Sequence, residues 1–230
     1  MLFDLLEVNK DEIISLMISR TGRVASMTAE PRQKRAIETR ASLLAAVERI
    51  VAEEGADAVT TTRVAAEAGT AVGTIYRYFT DRDAMLLEAY DATVARLVEL
   101  CSAELASVPP DAPVEETSKR LIDTYLTAAE TTPAHAGLLV AMRRIRPIEA
   151  AGGVNEDRVM GEIVEPFFAR FAPRAAASRT RLHVANTIIG TLVDIYLMTA
   201  DPHDRALVRQ EIDAQARFMI GRFRESEAET

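Results

Sequence analysis

From residue 35 to residue 223 the apolar residues return at helical spacing, and nowhere do they alternate as a strand requires. Over residues 35–54, Leu44, Val47 and Val51 recur beside Leu43 and Ile50, and Gly55 supplies a stop just past the end. Residues 83–106 repeat the pattern with Leu86, Tyr90, Val94, Leu97 and Cys101, ahead of the break "SVPPDAP". The same spacing predicts helices over 114–130, 135–145, 155–171, 175–199 and 205–223. Breaks fall at 131–133, at "RPIEAAGG", at Ala172-Pro173 and at "ADPHD", and Glu165-Pro166 predicts a kink inside its helix. A chain patterned in this way folds as all-α, with a small N-terminal unit of about three helices and a larger C-terminal bundle.

The 230 residues suffice for one large domain or two small ones, each with a core of its own. Hydrophobic residues make up 48 % and charged residues 27 %, and no apolar run approaches the ~18 residues of a membrane span. The single cysteine, Cys101, excludes an internal disulfide framework and a CxxC zinc cluster. His135, His183 and His203 stand far apart at no metal-ligand spacing, and no cofactor is expected. GxSxG, P-loop, HExxH and Rossmann patterns are all missing, which argues against an enzyme. Asp4 and Glu7 occupy the place where a signal peptide carries positive charge, so a soluble, cytoplasmic protein is expected. Net charge is -8, yet residues 31–82 hold eight Lys or Arg against seven Asp or Glu, the densest cluster being "RQKR" at 32–35.

Residues 60–79, "TTTRVAAEAGTAVGTIYRYF", concentrate the local signals. Thr60 is placed to cap a helix over 61–68, with Val59 and Val64 as a hydrophobic staple. Gly69 ends it, and a second helix follows from about Ala71, with Thr70 as its cap. There Val72, Ile75 and Phe79 share one face, while Gly73, Thr74, Tyr76, Arg77 and Tyr78 turn elsewhere. Thr80 and Asp83 then form an [ST]xx[DE] capping pair for the long helix that follows. Two short helices across a glycine turn, the second with a polar outer face, are the parts of a helix-turn-helix whose second helix fits the major groove.

This stretch, extended to "TTTRVAAEAGTAVGTIYRYFTDRDAML", resembles the DNA-binding signature of the TetR family of bacterial transcriptional regulators over residues 35–90. The resemblance implies a DNA-binding domain over 31–82, an effector-binding and dimerisation domain over 83–230, and an N-terminal extension over 1–30. It implies phosphate contacts from Thr61 and Arg82, and a basic arm at Arg32, Lys34 and Arg35. Val72, Gly73, Thr74, Tyr76, Arg77 and Tyr78 would line the groove, with Arg77 the base reader. Thr62 and Thr70-Ala71 depart from the family pattern, so the operator sequence does not transfer. Partners implied are pseudo-palindromic double-stranded DNA, a small-molecule effector and a second copy of the chain, with no membrane. The function implied is a homodimeric repressor released by a largely apolar effector. A DNA-bound scaffold that recruits a protein and needs no ligand is the alternative. Family members begin close to their first helix, so Met27 offers an alternative start; otherwise Leu2, Leu6, Ile13 and Leu16 share the face of an additional helix.

Farther on, Leu97, Cys101, Tyr125, Met142, Phe167, Asn186 and Tyr196 are the candidate effector pocket. In "ANTIIGTLVDIYLM", Asn186, Gly190 and Asp194 repeat every fourth residue, a face that borders solvent or serves a dimer or a pocket; Gly190 with Asp194 is the candidate dimer seam, glycine allowing close helix approach.

Overall fold

The structure is a computed structural model and describes residues 33–146 and 154–228. Every regular element among them is helical. The extension, Arg32 and the question of Met27 lie outside the described residues. Two compact units result, residues 1–43 and 44–230. Of the first, residues 33–43 are helical, with Lys34 and Arg35 exposed.

Residues 33–54 form α1, and Gly55 at φ 86° turns the chain into a single 3-10 turn, Ala56–Ala58. Helix α2 (Thr61–Glu67) starts at the expected cap: the Thr60 hydroxyl accepts the Arg63 N–H at 3.1 Å. Gly69, at φ 63°, makes the turn to α3 (Val72–Ile75). Here the structure corrects the sequence reading. The cap position of α3 is Ala71, with no side-chain bond, and the Thr70 N–H instead donates to Ala65 O at 2.9 Å across the turn. The helix expected to continue through Phe79 tightens after Ile75, with Arg77 N–H donating to Thr74 O and Tyr78 N–H to Ile75 O, three residues back in each case.

Helix α4 (Arg82–Ser107) is capped by Asp81, whose carboxylate accepts the Ala84 N–H at 2.7 Å; Thr80 donates to Asp81 and does not cap the helix itself. Helices α5 (Val114–Glu130) and α6 (His135–Ile145) follow as the spacing predicts. The next segment runs as α7 (Val154–Val159), a π-helical turn (Met160–Val164) and α8 (Glu165–Phe171). The widened turn lies just before Pro166, which has no N–H for an i→i−4 bond. A short α9 (Pro173–Ala176) separates it from α10 (Arg179–Met198), where one unbroken helix was expected, and α11 (Pro202–Ala228) returns along α10.

Ala46, Val47, Ile50, Val59, Val64, Ile75, Phe79, Met85 and Leu86 are buried in the N-terminal part of the second unit. Farther on, Cys101, Leu105, Leu121, Phe167, Phe168 and Leu182 form one apolar cluster, in which Phe168 meets Phe223 edge-on at 4.5 Å. Arg209 bridges α11 to Asp123 of α5 at 2.6 Å, and Arg143 of α6 pairs with Asp194 of α10.

Candidate nucleic-acid interface and C-terminal cavity

The turn at Gly69 and the tightened end of α3 raise a short polar ridge. Tyr76 is 61 % exposed and Val72 36 %, Gly73 and Arg77 are exposed, Thr74 and Tyr78 are half-buried, and Ile75 and Phe79 anchor the ridge from below. A Cβ added at Gly73 would meet nothing within 4 Å, so the backbone itself is open to approach. The Arg77 guanidinium has no partner among the described residues. The nearby arginines are differently employed. Arg63 is held by Glu54 at 2.6 Å and Glu67 at 3.0 Å, and Arg49 meets Glu67 at 2.7 Å, bracing α2 against the end of α1. These contacts hold the Arg63 guanidinium above its ordinary range and the Glu67 carboxyl below its own.

Arg82, expected at a phosphate, is turned inward. Its Nε donates to Val59 O at 2.9 Å and its Nη2 to Ala56 O at 2.8 Å, with Asp57 and Asp83 at 3.6 and 3.5 Å. The guanidinium takes up the Val59 carbonyl and adds a second donor to the Ala56 carbonyl, which already accepts the Val59 N–H, and so fixes α4 to the loop before α2. Partners 23 and 26 residues away are set by the tertiary fold, so no local pattern announces them. Thr61 sits half-buried at the first turn of α2.

In the C-terminal helices a cavity of about 410 Å³ opens among α4, α5, α6, α7, α8, α10 and α11. Cys101, Tyr125, Met142, Phe167 and Asn186 line it, as do Gly190 and Asp194. Two expected pocket residues do not. Leu97 is buried elsewhere on α4, and Tyr196 faces outward, its hydroxyl donating to Glu130 at 2.9 Å with Arg205 over the ring. Gly190 and Asp194 turn to the cavity, and the outward stripe of α10 is Val184, Ile188 and Ile195, exposed by 50, 40 and 41 %. At ~100° per residue, 186 and 190 lie ~200° on from 184 and 188, and 194 lies ~100° from 195. On α11, Leu207 and Phe218 are likewise exposed.

Of the polar end of the cavity, formed by Tyr90, Asp91, Arg143, Arg146, Asn155 and Asp194, the sequence singles out only Asp194 as a candidate site residue. Asn155 Nδ2 donates to Asp91 Oδ1 at 2.8 Å. Burial pushes the Asp91 carboxyl up against the pull of Arg146 and Asn155, and pushes Asp194 up against that of Arg143. Burial also raises the Tyr90 and Tyr125 phenols, and lifts the Cys101 thiol to about 12, so all three stay protonated. Behind Tyr90, the buried His135 stacks on the ring at 5.8 Å with Nδ1 3.4 Å from the Thr93 hydroxyl, and burial lowers its pKa to about 4. Periodicity placed Tyr90 on a buried face but carries no signal that a cavity lies beside it. Among the described residues no three of His, Cys, Asp and Glu gather in a metal-binding group, and no helix is long and apolar enough to cross a membrane.

Residues 43–89 match the family model "Bacterial regulatory proteins, tetR family". A search of the curated proteins finds no match. Among solved structures, the chain is similar to a TetR-family transcriptional regulator from Streptomyces coelicolor, at 19 % identity and TM-score 0.59, covering 80 % of this chain and 99 % of that one. It is also similar to the TetR family repressor AlkX from Dietzia sp. strain DQ12-45-1b, whose structure is described as implicated in biodegradation of n-alkanes (18 %, TM-score 0.57, 78 % and 94 %). A third is the fatty acid degradation regulator FadR from Bacillus halodurans (17 %, TM-score 0.52, 80 % and 95 %). At these identities the likeness speaks to the fold: a helix-turn-helix domain followed by a larger helical body.

Proposed function

We propose that the chain, whose residues 43–89 match the model of the tetR family of bacterial regulatory proteins, is a DNA-binding regulator of that family and acts as a homodimeric repressor which a small, largely apolar effector releases from its operator. The observation that carries this reading is the cavity. Its volume of about 410 Å³ falls in the range of small-molecule sites, and α4, which forms one wall, also carries Arg82 at the loop before the reading unit.

In this reading residues 31–82 are the DNA-binding domain and 83–230 the effector and dimer domain. The ridge from Val72 to Tyr78 enters the major groove, with Arg77 reading a base edge. Thr61 and the arm at Arg32, Lys34 and Arg35 take the backbone. The division follows from physics: phosphate contacts fix register, and groove contacts carry sequence information. Arg82 is left out, because its donors are already engaged with Ala56, Val59 and two carboxylates.

The outward stripe on α10 and α11 suits a second copy, since a two-fold pair of such faces buries Val184, Ile188, Ile195, Leu207 and Phe218 against their equivalents. A dimer presents two reading helices to grooves ~34 Å apart, so a small shift of α4 spoils simultaneous contact. Helix α6 offers a second route. It lines the cavity at Met142 and Arg143, and a Cβ at Gly137 would stand 2.7 Å from Val51 Cγ1 on α1.

An open cavity favours this reading over a ligand-independent scaffold. The test is to measure operator affinity with and without compounds that bind the cavity. A hundredfold release requires ~2.7 kcal/mol of differential binding, and by reciprocity operator DNA must weaken the compound's binding by the same factor. Equal compound affinity with and without operator rejects the effector role.

A further inference from the structure

The cavity has two unlike ends. Asp91 and Cys101, ten positions apart on α4, set them ~15 Å from one another. Around Cys101 the wall is Leu121, Phe167 and Phe168, with no charged residue in the lining there. All four charged lining residues, Asp91, Arg143, Arg146 and Asp194, belong to the other end.

Three of these charges are engaged, and the fourth, Arg146, is exposed and forms no ion pair among the described residues. Arg143 pairs with Asp194, and Asp91 accepts from Asn155 at 2.8 Å and is drawn down by Arg146. A guest carboxylate would find Arg143 occupied, two acids, Asp91 and Asp194, beside it, and only Arg146 to meet it, whose exposure to solvent screens the attraction. A guest ammonium would find both acids already engaged. Either would bring an uncompensated charge into a desolvated space, which is costly. What stands open is neutral: the Tyr90 hydroxyl, and that of Tyr125, whose ring packs against the Cys101 cluster while its hydroxyl feels the Asp194 charge, form no hydrogen bond among the described residues.

We infer that the ligand of this cavity is an uncharged, elongated amphiphile, with an alkyl body lying along α4 toward Cys101 and a neutral hydroxyl or carbonyl head set between Tyr90 and Tyr125. The inference rests on the effector reading only for the consequence of binding, since the choice of ligand follows from the lining alone. It separates three chemistries of equal length that apolar burial by itself would treat alike.

The experiment uses the full chain with 1-decanol, decanoate and decylammonium at pH 7, with affinity read by calorimetry and operator release by anisotropy on a DNA sequence selected from a random pool. The expected result is that 1-decanol binds at least tenfold more tightly than either ion. Tyr125→Phe weakens the alcohol several-fold and leaves the ions unchanged. Asp194→Asn, which frees Arg143, raises decanoate affinity about tenfold while the alcohol is little affected. Decanoate or decylammonium binding the unaltered chain as tightly as 1-decanol overturns the inference, as does failure of all three to bind. Tight, selective alcohol binding that leaves operator affinity unchanged upholds the ligand class and rejects the effector reading instead.

Discussion

Arg77 and Arg82, five residues apart, are built for different tasks. Arg77 is exposed and unpartnered on the ridge, so Arg77→Ala should cost ~1–3 kcal/mol of operator binding and relax discrimination at one base pair, with a smaller loss on random DNA. Parallel titrations on both DNAs measure this; equal losses on the two remove Arg77 from the base-reading role. Arg82→Ala should show itself in urea unfolding, lowering stability by ~1 kcal/mol as the Ala56 and Val59 carbonyls lose charged donors at a partly exposed site. The folded Arg82→Ala protein should keep its sequence preference. The difference between these arginines is half legible in the sequence. The motif places Arg77 on an outer helical face, but the inward bonds of Arg82 depend on where the chain brings residues 56 and 59, which spacing does not encode.

At the scale of the helix, periodicity located α5 and α6 to the residue and α4 to within one residue at each end, because long amphipathic segments bounded by Pro and Gly leave little freedom. It failed where local bonds compete. Thr70 and Thr80 were equally good caps on paper, yet the chain geometry puts Ala71 and Asp81 at those positions. On α10 the apolar pattern runs nearly all round, so sequence alone does not decide which face is outward, and Gly190 and Asp194, expected at a dimer seam, line the cavity. Two substitutions separate the faces. Ile188→Asp, with Phe218→Glu as a second variant, should give a monomer at micromolar concentration by light scattering and lower operator affinity at least tenfold. Gly190→Leu should leave the dimer intact. Its added Cβ meets nothing within 4 Å, so it should raise stability by ~0.5–1 kcal/mol through helix propensity while narrowing the cavity and weakening its ligand. Loss of the dimer in Gly190→Leu would return the seam to that face.

Across the molecule, His135 joins α6 to the cavity wall through Tyr90, and its burial makes stability depend on pH. Its folded pKa of about 4 lies below the ordinary histidine value of 6.5, so the unfolded chain binds the extra proton first. The stabilisation is therefore present at neutral pH and is lost as pH falls from about 6.5 toward 4. Between pH 7 and 5 the loss should be on the order of 2 kcal/mol. Asp91 and Asp194, raised by burial, act in the opposite sense, and comparison with His135→Phe isolates the histidine: urea unfolding of that variant should lack the decline. An identical decline in both proteins would place its origin elsewhere. The central claim is that the Val72–Tyr78 ridge reads DNA as one half of a two-fold pair. Selection of bound sequences from a random DNA pool tests it most directly. The account predicts enrichment of a pseudo-palindrome with half-sites centred about one helical turn apart, ~34 Å, and loss of preference at one position of each half-site with Arg77→Ala. A pool that stays random, or an unchanged motif with Arg77→Ala, contradicts it.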